Sequence, residues 1–146
     1  MPTILPPGIP VTIAPSRTQL THYEYALMLQ YLEDYPDKNA VAYYGVRVGP
    51  EPKMPDDWPE ALKRMARITR MRRIDAIIET PGGVEIVEVT PAADVHKVAQ
   101  LEAYKMLYEQ DPKLGPVKKM TILTNFAYAE TIQLAAQHGI TIHLYE

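Results

Sequence analysis

The pattern of apolar and polar residues predicts alternating strands and helices after a proline-rich start. Apolar residues recur at helical spacing in some segments, whereas short apolar runs bounded by turn residues indicate strands. Helices are expected near residues 17–34, 59–72, 93–109 and 127–137, and strands near 40–48, 73–79, 84–90, 117–124 and 140–145. The segment 59–72 is also compatible with a twisted strand. Early strands joined by a hairpin and later strands joined by helices predict a mixed α/β sheet flanked by helices.

Residues that start or stop helices and turns set the expected ends of several elements. Ser16 and Gln19 form a capping-box pattern, which predicts that the first helix begins at about residue 17. This helix is expected to end before Pro36, because proline lacks the N–H that a helix interior needs. The turn Pro81-Gly82-Gly83 joins two apolar runs and predicts a β-hairpin. Gly139 is expected to close the last helix.

The first residues differ from the rest of the chain because prolines stand at positions 2, 6, 7, 10 and 15. Proline fixes φ and cannot donate to a sheet ladder, so residues 1–15 are predicted to be an extended arm, neither a helix nor an inner strand. Two interpretations of the arm stay open: a free terminus, or a segment held by a neighbouring subunit. Residues 16–146 are predicted to form a single domain, since a chain of this size buries one good core.

Composition narrows the class of protein. With 47% hydrophobic and 23% charged residues, the chain is expected to be globular rather than disordered. No apolar run approaches the ~20 residues that span a bilayer, and the N-terminal residues lack the pattern of a signal peptide. The absence of cysteine excludes disulfides and thiolate metal sites, and it fits a cytosolic or virion protein that is neither secreted nor embedded in a membrane. Because the net charge is −3, binding to nucleic acid would depend on a local basic patch.

Two acidic residues lie on the strands of the predicted hairpin. Asp75 is on the first strand and Glu88 on the second, and both runs are too apolar to be edge strands. Close carboxylates in a poorly solvated place repel each other, so one takes up a proton unless a cation joins them. Hard oxygen ligands suit Mg²⁺ or Mn²⁺, which predicts a metal site at this hairpin. The alternative is ion pairing, of Asp75 with Arg73 or Arg47 and of Glu88 with a lysine.

Two helices are expected to place further side chains next to Asp75 and Glu88. Glu24 lies on the inward apolar stripe of the first helix, so it is either a third acid directed at the hairpin or a hydrogen-bonded core residue. On the helix after the hairpin, Gln100 and Tyr104 stand one turn apart and share a face, and Lys97 lies on that face one turn earlier.

A run of cations precedes the hairpin. Six basic residues fall within eleven positions directly before Asp75: Lys63, Arg64, Arg67, Arg70, Arg72 and Arg73. Such a run is usually a solvated charged face. Here it adjoins the acids, where its side chains are positioned to bind phosphates. These six residues are the predicted nucleic-acid-binding surface.

The ordered motifs resemble the PD-(D/E)XK nuclease superfamily, in particular its RecB-type branch, in which a Gln-x-x-x-Tyr helix follows an acidic hairpin. The matching residues are Asp75, then Glu88-Val89-Thr90, then Gln100 and Tyr104, with Glu24 in the place of the first-helix acid. A weaker likeness is to small stand-alone members that bacteriophages encode. The resemblance implies a restriction-endonuclease-like core and the hydrolysis of DNA phosphodiesters with Mg²⁺ or Mn²⁺.

The resemblance also implies roles for single residues. It implies that Asp75, Glu88 and the carbonyl of Val89 bind the metal directly and that Glu24 binds it through a water. Gln100 and Tyr104 would lie beside these ligands. The family's lysine, which orients the attacking water, is replaced by Thr90. Threonine is neutral and too short for that role, and the loss of one transition-state charge costs about 10²–10³ in rate. Lys97 shares the face of Gln100 and is the candidate for a displaced lysine.

Two functions stay open, and the first is favoured. In the first, a catalytically degenerate nuclease fold serves as a binding or assembly module, such as a head–tail or neck component of a phage. Its partners would be other subunits, through the arm, and DNA, and it would need no cofactor. In the second, the chain is a Mg²⁺-dependent nuclease of phage DNA processing that uses Asp75, Glu88 and Lys97. Either protein would reside in the host cytoplasm or the virion.

Different residues favour the two functions. Thr90, the negative net charge and the proline-rich arm favour the module. The intact Asp75, Glu88 and Gln100 favour the enzyme. A third possibility, a nucleic-acid-binding regulator without catalysis, depends only on the cations of residues 63–73.

Overall fold

The computed structural model describes residues 2–15 and 20–145. Seven strands and four helices follow one another along these residues. The strands are β1 (Thr3–Ile4), β2 (Ile9–Pro10), β3 (Val41–Val48), β4 (Arg72–Thr80), β5 (Gly83–Thr90), β6 (Val117–Thr124) and β7 (Ile140–Leu144). The helices are α1 (His22–Glu33), α2 (Glu60–Arg70), α3 (Val95–Glu109) and α4 (Ala129–Gln137). None of these helices is long and apolar enough to cross a membrane.

All seven strands belong to one sheet, in the order β1-β3-β4-β5-β6-β7, with β2 also paired to β3. The tight turn after β4 makes β4 and β5 antiparallel, whereas α3 and α4 are crossovers that make β5, β6 and β7 parallel. The predicted mixed α/β sheet flanked by helices is confirmed. Asp75 and Glu88 lie on β4 and β5, which are inner strands of the sheet.

Each face of the sheet buries its own apolar core. On one face, α1 contributes Leu27 and Met28 to a core that includes Val87 of β5. On the other face, α3 contributes Leu101 to a core that includes Ile86 of β5. We call these the α1 core and the α3 core. Neighbouring residues of β5 therefore point to opposite faces, and helices cover the sheet on both sides.

The described helices follow the sequence prediction except at the start of α1. Residues 20 and 21 are not helical, and α1 begins at His22. The reason is a capping box one turn further along: the Thr21 hydroxyl accepts from the N–H of Glu24, and the Glu24 carboxylate accepts from the N–H of Thr21, both at 3.2 Å. The start predicted at about residue 17 was therefore too early, and the predicted capping residues Ser16 and Gln19 lie outside the described residues. The segment 59–72 contains helix α2 rather than a twisted strand.

The proline-rich arm packs on its own chain. Both β1 and β2 pair antiparallel with β3. The Thr3 N–H donates to Asp111 Oδ2 at 2.8 Å, which ties the start of the arm to the loop after α3. Pro10 is tolerated in β2 because β2 pairs only with β3 and is an edge strand. The arm thereby covers the outer edge of β3.

Gly83 fixes the turn between the two acid-bearing strands. Its φ is 134°, and an added Cβ would lie 2.5 Å from the carbonyl oxygen of Pro116. We expect Gly83→Ala to lower the free energy of unfolding by about 1–3 kcal/mol, measured by urea denaturation. Gly82→Ala is the matched control, because the nearest atom to its added Cβ is Lys118 Nζ at 3.7 Å. The control is expected to change the free energy by less than about 0.5 kcal/mol, and equal effects would contradict the prediction.

Candidate functional site

Asp75 and Glu88 lie opposite each other on β4 and β5. The backbone ladder between these strands ends at the pair of Ala76 with Val87. Beyond it the carboxylates take over the hydrogen bonding: the Asp75 N–H donates to Glu88 Oε1 and the Val89 N–H donates to Asp75 Oδ2, both at 2.9 Å. Asp75 is 6% exposed and Glu88 is 3% exposed. The two strands therefore hold a buried acid pair, by which we mean Asp75 and Glu88, in a fixed geometry.

A guanidinium group neutralises part of the charge of the acid pair. Arg73 Nη1 lies 2.6 Å from Asp75 Oδ1 and 3.3 Å from Glu24 Oε2. Glu24 reaches this place from the first turn of α1, where its other oxygen caps Thr21. Arg73 thus bridges an acid of the sheet and an acid of the helix. In the structure Asp75 forms an ion pair with Arg73, which is one of the alternatives that the sequence left open.

Burial shifts the acid pair toward protonation. It raises the pKa of Glu88 well above the ordinary value of 4.5, and the charge of Asp75 raises it further. Burial also raises the pKa of Asp75, with a second contribution from the charge of Glu24. The Val89 N–H and the Arg73 guanidinium oppose this rise in the pKa of Asp75. Burial therefore favours the protonated form of Glu88, while Asp75 is the member of the pair that Arg73 contacts.

Three residues of α3 form a chain of hydrogen bonds near the acid pair. Lys97 Nζ donates to Gln100 Oε1 at 3.1 Å, and Gln100 Nε2 donates to Tyr104 Oη at 2.7 Å. The Lys97 charge is close enough to oppose the burial-raised pKa of Glu88. Burial, together with the charges of Glu88 and Asp75, raises the pKa of Tyr104 to about 12. The structure thus places Lys97 and Tyr104 within electrostatic reach of the pair, and Gln100 links these two residues.

The side chain of Thr90, where the sequence resemblance leads us to expect a lysine, is turned to the loop after β5. Thr90 is buried, and its hydroxyl donates to the carbonyl oxygen of Ala92 at 3.2 Å. A neutral hydroxyl in that bond supplies no positive charge to the acid pair. Positive charge reaches the pair from Arg73 and Lys97 instead.

The donor atoms of the site do not fit Mg²⁺ or Mn²⁺ in this arrangement. Three of the four carboxylate oxygens of the acid pair receive hydrogen bonds, two from backbone N–H groups and one from Arg73. A divalent ion needs several oxygens turned toward it, whereas a guanidinium bridges Asp75 and Glu24. Across residues 2–15 and 20–145, no group of three or more histidine, cysteine or acidic side chains is placed to hold a metal ion. In this arrangement the Arg73 guanidinium supplies positive charge to the acid pair.

The six basic residues before Asp75 lie in different surroundings. Three of them, Arg64, Arg67 and Arg73, line a cavity between the arm, β3 and α2. Arg72 lines a separate hollow along α3, which Lys97 also lines. The other two line neither recess: Lys63 and Arg70. Four of the six basic residues therefore line two separate recesses, and the other two line neither.

A second buried acid was not among the predicted site residues. Glu85 is 1% exposed and accepts hydrogen bonds from the hydroxyls of Tyr31, Tyr35 and Thr121. Alternation along β5 places Glu85 and Glu88 on opposite faces of the sheet, so Glu85 is separate from the acid pair. The signal for it was an acid inside the apolar run of an inner strand. Of its two tyrosine partners, Tyr31 lies on α1 and Tyr35 lies just after the end of that helix.

Comparisons with known proteins bear on the fold alone. The sequence matches the profile of no protein family, and it matches no curated protein. Among solved structures, the chain is similar to a repair endonuclease from Pyrococcus abyssi, with a TM-score of 0.45, 16% identity, and coverage of 63% of this chain and 50% of that one. It is also similar to a protein of unknown function, with a TM-score of 0.50, 15% identity, and coverage of 82% of this chain and 56% of that one. The chain thus spans about half the length of each of these two proteins.

Glu88→Gln tests the protonated state of the acid pair. The raised pKa means that folded Glu88 keeps a proton that the unfolded chain releases above about pH 4.5, so the stability that this proton confers is lost as the pH rises from there. Glutamine mimics the neutral acid and keeps an oxygen for the Asp75 N–H. We expect Glu88→Gln to raise the free energy of unfolding at mildly alkaline pH, and the gain to vanish as the pH falls to about 4.5. Urea denaturation across this range measures it.

The matched control for Glu88 is Glu109→Gln, because Glu109 is an exposed acid at the end of α3. Its substitution is expected to change the free energy of unfolding by less than about 0.5 kcal/mol at any of these pH values. A Glu88→Gln variant that is less stable than the parent at alkaline pH would show that Glu88 is ionised in the folded chain.

Proposed function

We propose that the chain is a catalytically degenerate fold of the restriction-endonuclease type that works as a binding module. The observation that supports this function is the contact of Arg73 with Asp75 and Glu24, at 2.6 and 3.3 Å. In that place a guanidinium supplies the positive charge that the acids need, but it neither acidifies a water nor polarises a phosphate as a divalent ion does. The acid pair is then a structural element beneath a binding surface.

The replaced lysine supports the same function. Thr90 is hydrogen-bonded within its own loop, and Lys97, the candidate replacement, is held by Gln100. Hydrolysis of a phosphodiester needs a group that orients the attacking water and offsets the charge of the transition state. The groups that would serve are engaged by other residues of the chain.

A second function, Mg²⁺- or Mn²⁺-dependent hydrolysis of DNA in phage DNA processing, has one observation in its favour. Lys97 is close enough to Glu88 for its charge to oppose the burial-raised pKa of that acid. If Arg73 moved away from Asp75, an acid pair with a lysine near it would remain, which is the set that the enzyme would use. Arg73 is therefore the residue that separates the two functions.

The binding partners that we propose are nucleic acid and other protein subunits. The basic run before Asp75 supplies cations for phosphates in two recesses. On α2 the side chains of Leu62, Met65 and Ile68 are 43%, 62% and 48% exposed and offer apolar surface to a second protein. A structural role in a phage head–tail or neck assembly, in the virion or the host cytoplasm, is supported by the sequence resemblance. Assembly through the arm would compete with the pairing of β1 and β2 on β3 of the same chain.

Incubation with supercoiled and linear DNA tests the proposed function. The protein with millimolar Mg²⁺ or Mn²⁺ is expected to leave both substrates intact, while it retards a DNA fragment in a mobility-shift assay at low salt. Asp75→Asn is the matched control, because it removes the charge of the side chain and keeps its shape. Metal-dependent cleavage that Asp75→Asn and Lys97→Met both abolish would establish the nuclease instead.

Arg73→Met tests the internal cation. The substitution leaves Asp75 and Glu24 without their shared partner, so we expect it to lower the free energy of unfolding at neutral pH by about 3 kcal/mol. Addition of Mg²⁺ is expected to restore part of the loss, since the ion can then approach the acids. Arg72→Met is the matched control, because Arg72 is the exposed neighbour on the same strand, and a change below about 0.5 kcal/mol is expected. Equal losses in both variants would exclude Arg73 as the cation of the pair.

A further inference from the structure

A cavity of about 660 Å³ opens between the arm, β3 and α2, with Arg73 in its wall. Separate parts of the chain line it, among them Ile4 of the arm, Tyr44 and Arg47 of β3, and Arg64 and Ile68 of α2. A volume of this order is typical of sites for small organic ligands and cofactors. We call this recess the arm cavity.

The arm cavity is basic, although the net charge of the chain is −3. Five cationic side chains line it against one acid, Glu51, which Arg67 already contacts at 3.0 Å. Arg47 and Arg73 are cross-strand partners on β3 and β4, so two guanidinium groups of like charge lie close together. Burial, and then the charge of Arg73, lower the pKa of Arg47. An anion in the cavity would relieve this repulsion.

Tyr44 lines the arm cavity and carries a buried hydroxyl without a hydrogen-bond partner. The residue is 1% exposed, and its buried hydroxyl makes no hydrogen bond. A buried hydroxyl in this state costs free energy, so it calls for an explanation. Burial raises the pKa of Tyr44, which keeps the hydroxyl protonated and able to donate. A ligand that reaches this hydroxyl from the arm cavity would supply the missing acceptor.

Gly45 explains why Tyr44 and Arg47 line the same recess. Tyr44 belongs to the α1 core and Val46 to the α3 core, although residues two apart on a regular strand share a face. Between them Gly45 has a φ of 73°, a left-handed conformation that residues with a Cβ seldom adopt. The alternation of side chains along β3 therefore shifts by one residue at Gly45. As a result, Arg47 lies on the same face of the sheet as Tyr44.

We propose that the arm cavity binds a phosphate group that is attached to a nucleoside, either as a free mononucleotide or within a nucleic-acid strand. Guanidinium groups bind phosphate oxygens through paired N–H donors, here from Arg47 and Arg64, and Tyr44 donates to a further oxygen. Phosphate suits this site better than a carboxylate because it presents more oxygens and more charge to several cations. Ile4 and Ile68 supply apolar surface for the sugar and the base.

This inference names a ligand class for the proposed binding function and rests on that function in one respect. Arg73 belongs both to the wall of the arm cavity and to the acid pair. While Arg73 stays on Asp75, a phosphate bound next to it meets a neutralised carboxylate rather than a metal-loaded one. The bound phosphate is therefore expected to remain intact.

Isothermal titration calorimetry on the full chain tests the arm cavity. The probes are thymidine monophosphate, thymidine as the control without phosphate, and a short oligothymidylate. Tyr44→Phe and Arg64→Gln are the test variants. Arg70→Gln is the matched control, because Arg70 is an exposed arginine of the same helix that does not line the cavity. Tyr44→Phe removes only an unpartnered hydroxyl, so its melting temperature is expected to stay the same or rise, which separates binding from folding.

We expect thymidine monophosphate to bind and thymidine not to bind. Arg64→Gln is expected to weaken binding about tenfold, Tyr44→Phe about fivefold, and Arg70→Gln less than about twofold. Tighter binding of oligothymidylate than of the mononucleotide would identify a strand as the source of the phosphate. Equal binding would identify the free nucleotide.

The arm cavity is not a phosphate site if neither phosphorylated probe binds, or if Arg70→Gln weakens binding as much as Arg64→Gln does. The second result is what a diffuse basic surface would give. Failure of this inference and failure of the proposed function give different results. If the DNA stays intact and no nucleotide binds, only the proposal for the arm cavity is wrong. If the protein cleaves DNA in a metal-dependent way and Tyr44→Phe weakens nucleotide binding, only the non-catalytic function is wrong.

Discussion

Two carboxylates that face each other inside a sheet stay together only when protons or positive charge reach them. Burial, together with the charge of Asp75, raises the pKa of Glu88, and Asp75 is held by Arg73. The remaining hydrogen bonds come from the backbone of the opposite strand, so the acid pair continues the ladder of β4 and β5 with side chains. The acid pair can therefore stay buried within the sheet although an apolar core packs on each face of the sheet.

Arg73 joins three parts of the molecule through one guanidinium group. It contacts the acid pair, reaches the cap of α1 through Glu24, and lines the cavity beneath the arm. An anion bound in that cavity and the carboxylate of Asp75 would compete for the same positive charge. Such competition makes the two sites thermodynamically linked, and the linkage acts equally in both directions.

The parts of the fold that could be predicted from the sequence are those with strong local signals. The apolar runs and the turn at Pro81–Gly83 predict the hairpin, and its alternation places Asp75 opposite Glu88. The start of α1 was predicted too early because a second capping pattern, Thr21 with Glu24, lies nearer the apolar stripe and forms the cap of α1. Glu85 was missed because its hydroxyl partners come from a helix and from β6, which local sequence does not bring together.

The candidate site was harder to predict than the fold. Asp75 needs a cation whether Arg73 or a divalent ion supplies it, and both satisfy the same electrostatic requirement, so spacing along the chain does not choose between them. The arm presents the same difficulty, because prolines exclude an inner strand without specifying which edge the segment covers. Gly45 in the sequence indicates a bend in β3, but the alternation of apolar and polar residues does not show that the strand changes faces there.

The arm also determines what the eight-residue strand β3 offers to other molecules. A strand at the border of a sheet presents a row of N–H and C=O groups that can template the addition of a foreign strand. Proteolytic cleavage after β2 would release the arm. It would expose the edge of β3 and remove one wall of the arm cavity at the same time. Nicked chains would then self-associate edge to edge, so any ligand that holds the arm down would also protect the protein from aggregation.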